Sequence, residues 1–293
     1  MKARFEKIYI EISDYCGLAC GFCPSAGVTK RRGIMDLALF RQLCAQVQNQ
    51  ARRVCLHILG DPLSVRELDL YVEILRGYGL CVELVSSGLF LQERHFELLT
   101  QKPFIQVAFS LSAFVANDNL LKTQHLEQIL KMCAYNIAKG SPIFVNLRFH
   151  SNDIMARSPK FMELCAHIAC FFGMDSQALL SGLQKGRVRL GTKVFANPKT
   201  SFVWEQDEVE SRRYDSKRVF CHGANKQFGI LSNGEVVPCC IDYRGMASFG
   251  NARTQRLDEI LQSKAFRDFA TALKEGYAPS ELCQKCGYRL MFD

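Results

Sequence analysis

Three cysteines lie close together near the start of the chain, in the run Asp14-Tyr15-Cys16-Gly17-Leu18-Ala19-Cys20-Gly21-Phe22-Cys23-Pro24. Their spacing, Cys-x3-Cys-x2-Cys, puts three thiols on one short glycine-containing loop. Thiolates are the ligands of iron–sulfur clusters, and a cubane of four irons needs four ligands. Three cysteines would hold three irons and leave the fourth open, as a reaction centre requires. The loop therefore predicts a reactive iron–sulfur centre, with a zinc site or buried thiols as the alternative.

Eleven further cysteines complete the fourteen in the chain. Six of them stand singly in apolar patterns, which predicts that they pack in the core: Cys44, Cys55, Cys81, Cys133, Cys165 and Cys170. The other five lie near the C-terminal end: Cys221, Cys239, Cys240, Cys283 and Cys286. The dipeptide Asn233-Gly234 lies between two apolar runs just before Cys239, which predicts a β-hairpin. That hairpin would bring Cys239 opposite the Cys283-x2-Cys286 pair.

Predicted strands and helices alternate along most of the chain. The strands are expected at 7–12, 54–59, 81–85, 105–111, 143–149 and 186–194, and the helices at 37–50, 66–78, 92–101, 120–138 and 159–172. This alternation is typical of βαβ units with a parallel sheet. Six units are too few for a closed eight-stranded barrel. The predicted fold is therefore α/β, a partial (β/α)6 TIM-like barrel with a small C-terminal Cys-rich iron–sulfur domain.

The character of the sequence changes after about residue 197. A polar, charged stretch at 205–218 is followed by a Gly- and Cys-rich segment with short elements and a helix predicted at 257–273. We therefore expect two domains, a barrel over 1–205 and a cluster-binding domain over 206–293.

Composition narrows the class of protein. The chain has 293 residues, of which 48% are apolar and 23% charged, a balance typical of a soluble globular protein. No stretch approaches the roughly 18 to 20 apolar residues of a membrane span, and no signal peptide is recognisable, so a cytoplasmic location is expected. The net charge of +8 is compatible with a basic surface, and the densest basic run, Lys30-Arg31-Arg32, follows the cysteine loop.

The cysteine loop, with aromatic Phe22 just before its last cysteine, resembles the signature of the radical S-adenosylmethionine (radical SAM) superfamily. Gly60-Asp61-Pro62 ends the second predicted strand and resembles the Gly-Glu-Pro motif of that family, with Asp in place of Glu. Further polar runs end later strands: Ser86-Ser87-Gly88, Ser110-Leu111-Ser112 and Asn146-Leu147-Arg148. Active sites of parallel barrels form at such strand ends.

The resemblance implies specific roles. Cys16, Cys20 and Cys23 would bind a catalytic 4Fe-4S cluster whose open iron chelates S-adenosylmethionine, and reductive cleavage would give a 5′-deoxyadenosyl radical that abstracts hydrogen from substrate. Gly60, Asp61 and Pro62 would offer backbone carbonyls to the cofactor, and the backbone beside Phe22 would meet its adenine. Ser86, Ser110 and Arg148 are also expected at the cofactor, although Ser86 and Ser87 fit a turn with Gly88, and Ser110 and Arg148 fit a role confined to the barrel mouth.

Residues 220–288 resemble a SPASM-type domain, which carries auxiliary iron–sulfur clusters in many radical SAM enzymes. Five cysteines are too few for two complete auxiliary clusters. One 4Fe-4S cluster would be bound by Cys221, Cys239, Cys283 and Cys286, with Cys240 spare or exchanging with Cys239. Because CxxC pairs also bind zinc, a structural zinc site is the alternative.

The resemblance identifies the reaction type better than the substrate. We expect modification or oxidation of a peptide or protein, with oxidation of a small molecule such as a carbohydrate or alcohol as the alternative. A flavodoxin or ferredoxin would be the electron donor. A non-catalytic iron–sulfur electron carrier or scaffold is the alternative from another class. Nucleic-acid binding is not expected, since no RNA-binding module is recognisable. No catalytic acid, base or radical-relay residue is assigned.

Overall fold

The chain folds into two compact units in the computed structural model, which describes residues 4–202, 204 and 217–291. The first unit comprises Met1–Cys16, Phe22–Val82 and Phe202–Asp293, and the second comprises Gly17–Gly21 and Glu83–Ser201. The expected domain boundary at residue 205, and most of the polar stretch at 205–218, lie outside the described residues. The division into 1–205 and 206–293 therefore stays a prediction.

The described strands and helices follow one another in α/β order. The strands are β1 (Lys7–Ile10), β2 (Val54–Cys55), β3 (Val82–Ser86), β4 (Phe104–Ser110), β5 (Phe144–His150), β6 (Val188–Gly191), β7 (Val194–Lys199), β8 (Gln227–Ile230) and β9 (Val236–Val237). The helices are α1 (Leu37–Val47), α2 (Leu68–Gly77), α3 (Arg94–Leu99), α4 (Ser112–Ala116), α5 (Thr123–Ala138), α6 (Ser151–Ala156), α7 (Pro159–Phe171), α8 (Ser176–Lys185), α9 (Leu257–Gln262), α10 (Lys264–Lys274) and α11 (Glu281–Lys285).

Strand β1 lies at the centre of the first unit. It pairs in parallel with β2 on one side, with Ile8 opposite Val54, and with β8 on the other, with Ile10 opposite Ile230. Ile8 and Ile10 point to one face of the strand and Tyr9 to the other, and all three are buried, as expected of a strand covered on both faces. The parallel strands therefore end together at one edge, and the cysteine loop follows β1 directly.

The predicted Asn-Gly hairpin is present in the first unit. Strands β8 and β9 are antiparallel, with Gly229 opposite Val237, and the turn between them contains Asn233 and Gly234. Gly234 has a φ of 94°, a conformation that glycine adopts without the steric cost of a side chain. The hairpin leads directly into Cys239 and Cys240.

The second unit contains the parallel strands β4, β5 and β7. Ser110 of β4 lies opposite Arg148 of β5, and Leu147 of β5 lies opposite Ala196 of β7. The sixth strand predicted at 186–194 is present as β6, but it does not continue the parallel sheet. Strands β6 and β7 are antiparallel, and Lys193 takes a left-handed φ of 62° in the turn between them. The strand that continues the parallel sheet therefore begins only at Val194.

Four of the described helices were not predicted, namely α4, α6, α8 and α11. The single helix predicted at 257–273 is instead two helices, because Ser263 ends α9 and caps α10, its hydroxyl accepting from the Phe266 N–H at 3.2 Å. Two of the six cysteines predicted to be core residues, Cys81 and Cys170, are exposed, since both stand at element ends.

Among the described residues, no single helix is long and apolar enough to span a membrane. The bent pair α7–α8 reaches the length and composition of a span only when its two helices are taken together.

The fold class is confirmed. The chain is a mixed α/β protein, and its described parallel strands form an open sheet.

Candidate functional site

The cysteine loop is held closed by buried polar contacts within the first unit. Asp14 is fully buried, and its carboxylate accepts from the backbone N–H of Arg32 at 2.7 Å and of Gly33 at 3.1 Å. The Arg31 guanidinium donates to the carbonyl oxygens of Asp14 at 2.6 Å and of Ser25 at 2.8 Å. The basic run that follows the loop is thus part of its frame, and this role of Asp14 and Arg31 was not found from the sequence.

The three loop cysteines differ in environment. The first unit contains Cys16 and Cys23, both partly exposed, and the second contains Cys20, which is buried. Burial raises the pKa of the Cys23 thiol, while the Ser25 N–H and the Arg31 charge oppose that shift. Cys20 accepts a hydrogen bond at its sulfur from Asn117, at 3.0 Å, another contact that no sequence pattern indicated.

Gly60-Asp61-Pro62 packs tightly against the segment that enters the loop. A side chain at Gly60 would place its Cβ 2.1 Å from the carbonyl oxygen of Ser13, so only glycine fits there. The Asp61 N–H donates to the Tyr15 carbonyl at 2.9 Å, and its carboxylate accepts from the Leu63 N–H at 3.0 Å. The aspartate that replaces the glutamate of the family motif therefore caps the turn that begins at Pro62.

The remaining predicted cofactor residues lie at strand ends of the second unit. The Ser86 hydroxyl accepts from the Gly88 N–H at 2.9 Å, the contact that a turn at this place would make. Ser110 and Arg148 lie opposite each other at the ends of β4 and β5, and both are partly exposed. The Leu111 N–H donates to the Arg148 carbonyl at 2.8 Å. These two side chains are therefore placed at the same end of neighbouring strands.

A small cavity in the first unit collects the C-terminal cysteines. Its lining includes four cysteines together with apolar residues and Arg289: Val219, Cys221, Cys239, Ile241, Leu273, Leu282, Cys283, Cys286 and Arg289. Cys283 lies on α11, whose first turn is capped by Ser280, and Cys286 ends that helix. The four cysteines are the same four that the sequence singled out as a ligand set.

Burial and mutual proximity raise the pKa values of thiols in this cavity. Burial raises the pKa of Cys283 to about 11 and of Cys286 to about 12, and the neighbouring thiols add to both shifts. Burial, followed by the other four cysteines of the group, also raises the pKa of Cys239. Four thiolates so close together need positive charge to be stable, and iron supplies it when thiolates bind a cluster. The donor set therefore fits an iron–sulfur cluster.

Cys240 has a different environment from Cys239. It does not line the cavity, and the hydroxyl of Tyr9 in β1 donates a hydrogen bond to its sulfur. Tyr9 itself is buried. Among the described residues, no group of three or more His, Cys, Asp or Glu is arranged to hold a single metal ion.

Comparison with known proteins gives the family context. Residues 221–287 match the SPASM family, an iron–sulfur cluster-binding domain. The S-adenosyl-L-methionine-dependent 2-deoxy-scyllo-inosamine dehydrogenase of Niallia circulans is 22% identical over 98% of this chain and 94% of the relative. The chain therefore carries a C-terminal SPASM domain and is similar over nearly its whole length to an S-adenosyl-L-methionine-dependent dehydrogenase.

Solved structures share the fold of this chain. BtrN in complex with AdoMet and 2-DOIA matches with a TM-score of 0.60 and 21% identity, covering 98% of this chain and 94% of BtrN. Streptococcus suis SuiB bound to its precursor peptide SuiA matches with a TM-score of 0.61 and 14% identity, covering 97% of this chain and 70% of SuiB. The cavity with four cysteines lies within the residues that match the SPASM domain, apart from Val219 and Arg289.

Proposed function

We propose that the protein cleaves S-adenosylmethionine reductively and uses the resulting radical to oxidise or modify a substrate. The observation that carries this proposal is the Cys-x3-Cys-x2-Cys loop on a fold similar to that of radical SAM enzymes, together with a separate set of four cysteines in the SPASM domain. The cluster at Cys16, Cys20 and Cys23, when bound, supplies the electron that splits the cofactor into methionine and a 5′-deoxyadenosyl radical, which abstracts hydrogen from substrate.

The chain's own residues bind and orient the cofactor. Gly60 lets the Gly60–Pro62 turn approach the loop, because any larger residue would strike the Ser13 carbonyl. The backbone beside Phe22 contacts the adenine of the cofactor in this proposal. Ser110 and Arg148 stand side by side at the ends of neighbouring strands, where the guanidinium pairs well with a carboxylate such as that of the methionyl group. Ser86, whose hydroxyl accepts from the Gly88 N–H, is the third side chain proposed to contact the cofactor.

Cys221, Cys239, Cys283 and Cys286 would hold the C-terminal cluster. Four thiolates would satisfy such a cluster and leave no position for S-adenosylmethionine, and the cluster would supply a site that receives or relays an electron during substrate oxidation. Arg289 lines the same cavity and is buried, so its positive charge would stabilise an anionic cluster.

Two substrate classes follow from the relatives. A peptide or protein substrate is supported by the likeness to SuiB bound to its precursor peptide. A small-molecule alcohol is the second candidate, and chain length favours it. This chain spans 94% of the inosamine dehydrogenase but 70% of SuiB, so it shares nearly the whole architecture of the small-molecule enzyme.

The cellular compartment and the electron donor are also part of the proposal. None of the fourteen cysteines, all of which lie in the described part of the chain, forms a disulfide, which suits a reducing compartment such as the cytoplasm. A small one-electron carrier of the flavodoxin or ferredoxin class would supply the reducing electron.

The test is formation of 5′-deoxyadenosine. Anaerobically reconstituted protein with dithionite should release it slowly from S-adenosylmethionine without substrate. Cys20→Ala should release none, whereas Cys44→Ala, which removes a buried thiol of α1 outside both groups, should match wild type. Equal release by wild type and Cys20→Ala would refute the proposal. Acceleration by 2-deoxy-scyllo-inosamine, or instead by the precursor peptide SuiA, separates the two substrate classes.

A further inference from the structure

The side chain of Asn117 is bonded to the cysteine loop within the second unit. Its Nδ2 donates to Sγ of Cys20 at 3.0 Å and to the Ala113 carbonyl at 3.0 Å. Its Oδ1 accepts from the Ala19 N–H at 3.2 Å. Asn117 is 5% exposed and Cys20 is 7% exposed, so these contacts are shielded from water.

The orientation of the Asn117 amide is set by backbone groups. The Ala19 N–H can only donate and the Ala113 carbonyl can only accept, so the oxygen must face Ala19 and the nitrogen must face Ala113. Both Nδ2 hydrogens are then used, one on Ala113 and one on the Cys20 sulfur. The donor is thus aimed at the sulfur by contacts that do not depend on a cluster.

The backbone of Asn117 is fixed as well. The residue follows directly on α4, and its carbonyl accepts from the N–H groups of Leu120 at 3.0 Å and Leu121 at 2.8 Å. A buried amide with a fixed backbone and a fixed orientation has little freedom to move. It therefore holds both the Ala19 backbone and the Cys20 sulfur in place.

We propose that Asn117 is a positioning residue that fixes the Cys20 sulfur and raises the reduction potential of the cluster that Cys20 binds. This inference rests on the proposed function, because Cys20 must be a ligand. Hydrogen bonds to the sulfurs are among the factors that set cluster potentials. Reduction adds negative charge to the cluster and its sulfurs. An N–H donor stabilises the reduced form more than the oxidised form, which makes reduction by a one-electron carrier easier.

The test compares two variants at this position. Asn117→Asp keeps an acceptor for the Ala19 N–H but has no N–H for the Cys20 sulfur, and Asn117→Ala removes both contacts. The midpoint potential is measured by electron paramagnetic resonance during dithionite titration, on the cluster signal that changes when S-adenosylmethionine is added. We expect the ratio of reduced to oxidised cluster at a given potential to fall about tenfold, a shift of about 59 mV to lower potential for one electron.

Asn136→Asp is the matched control. Asn136 is a buried asparagine of α5 in the same unit, and its Nδ2 donates to the Ile143 carbonyl at 3.1 Å without touching a loop cysteine. The control should keep the wild-type potential and iron content. Iron loss in the Asn117 variants with full retention in the control would also support the positioning role.

Two results would overturn the inference. One is a wild-type midpoint potential in both Asn117 variants at full iron content. The other is an equal change in the Asn136→Asp control, which would reduce the effect to general destabilisation. A wild-type protein with no signal that responds to S-adenosylmethionine would contradict the proposed function instead, so the two failures are distinguishable.

Discussion

The Arg32 guanidinium forms an ion pair with the fully buried carboxylate of Glu11, with 2.9 Å between Nη2 and Oε2. The same carboxylate accepts from the N–H groups of Leu59 and Ser232, each at 3.1 Å. Arg32 also donates to the Tyr243 carbonyl at 2.9 Å. One charged pair in the first unit therefore joins four parts of the chain: the end of β1, the basic run after the cysteine loop, the segment before Gly60 and the SPASM domain.

Replacement of Glu11 by Gln should destabilise the protein strongly. Burial raises the pKa of Glu11, and the Arg32 charge and the two N–H groups oppose that shift. The neutral amide would leave Arg32 without its counter-charge and would turn an N–H towards groups that are themselves donors. We expect the free energy of unfolding, measured with urea, to fall by about 3–5 kcal/mol.

Glu97→Gln provides the control for this change. Glu97 pairs with Lys139 at 2.5 Å, but both side chains are substantially exposed. Pairs of this kind contribute about 0–1 kcal/mol, so the control should unfold almost as wild type does. A similar loss in the two variants would show that the buried pair has no special role.

His95 should make stability depend on pH in the acid range. It is buried, and its Nδ1 accepts from the Gln92 N–H at 3.1 Å, which only the neutral ring can do. Burial lowers its pKa to about 4, against a usual 6.5. A lowered folded pKa means that the stabilisation is complete above about pH 6.5 and is lost as pH falls through about 4.

The measurement is unfolding by urea between pH 7 and 4 for wild type and His95→Gln. The shift from 6.5 to about 4 corresponds to a loss of about 3 kcal/mol that the variant should not show. Parallel pH profiles for the two proteins would be inconsistent with this role of His95.

Local patterns in the sequence were sufficient for the class of fold and for both cysteine groups. Strand and helix periodicity depends on neighbouring residues, and the Asn233-Gly234 turn depends on the φ that Gly234 adopts. The four C-terminal cysteines were grouped through the resemblance to a SPASM-type domain, to which the predicted hairpin and the CxxC pair added local support. The hairpin at 188–199 was missed because its turn, Thr192-Lys193, has no Gly, Asn or Pro.

Contacts between distant segments could not be predicted in this way. Asn117 bonds to Cys20, 97 positions away, and Ser232 bonds to Glu11, 221 positions away. Neither residue belongs to a periodic or spaced motif, so one sequence gives no sign of the contact. Asp14 lies just before the cysteine motif. Its partners Arg32 and Gly33 come within hydrogen-bond distance only because the chain folds back after the loop.

Trp204 should report cofactor binding. It is the only tryptophan, and its Nε1 donates to the Phe22 carbonyl at 3.0 Å, within the first unit. The resemblance to radical SAM enzymes places adenine at the backbone beside Phe22. S-adenosylhomocysteine should therefore change the tryptophan emission of the reconstituted protein in a saturable way. Methionine, which lacks the adenosine, should leave it unchanged; an unaltered spectrum at saturating S-adenosylhomocysteine would refute the assignment of Phe22.

Cys239 and Cys240 should behave differently when replaced. Wild type should bind about eight irons after anaerobic reconstitution, as two clusters of four. Cys239→Ala removes a residue of the cavity and should lose about four irons. Cys240→Ala removes only the acceptor of the Tyr9 hydroxyl and should keep about eight. Iron loss in Cys240→Ala but not in Cys239→Ala would make Cys240 the ligand instead. One zinc with about four irons in wild type would show that the C-terminal site binds zinc and not a cluster.

The double variant Cys283→Ala, Cys286→Ala should separate cofactor cleavage from substrate turnover. Both residues line the C-terminal cavity, whereas the residues proposed to bind S-adenosylmethionine all precede residue 149. We expect about four irons to be lost, substrate-independent release of 5′-deoxyadenosine to persist, and turnover of substrate to collapse. Because metal binding is often folding energy, thermal unfolding is compared with wild type. Normal turnover by a folded variant would refute the electron-relay role, and loss of both activities with early unfolding would assign the cluster a structural one.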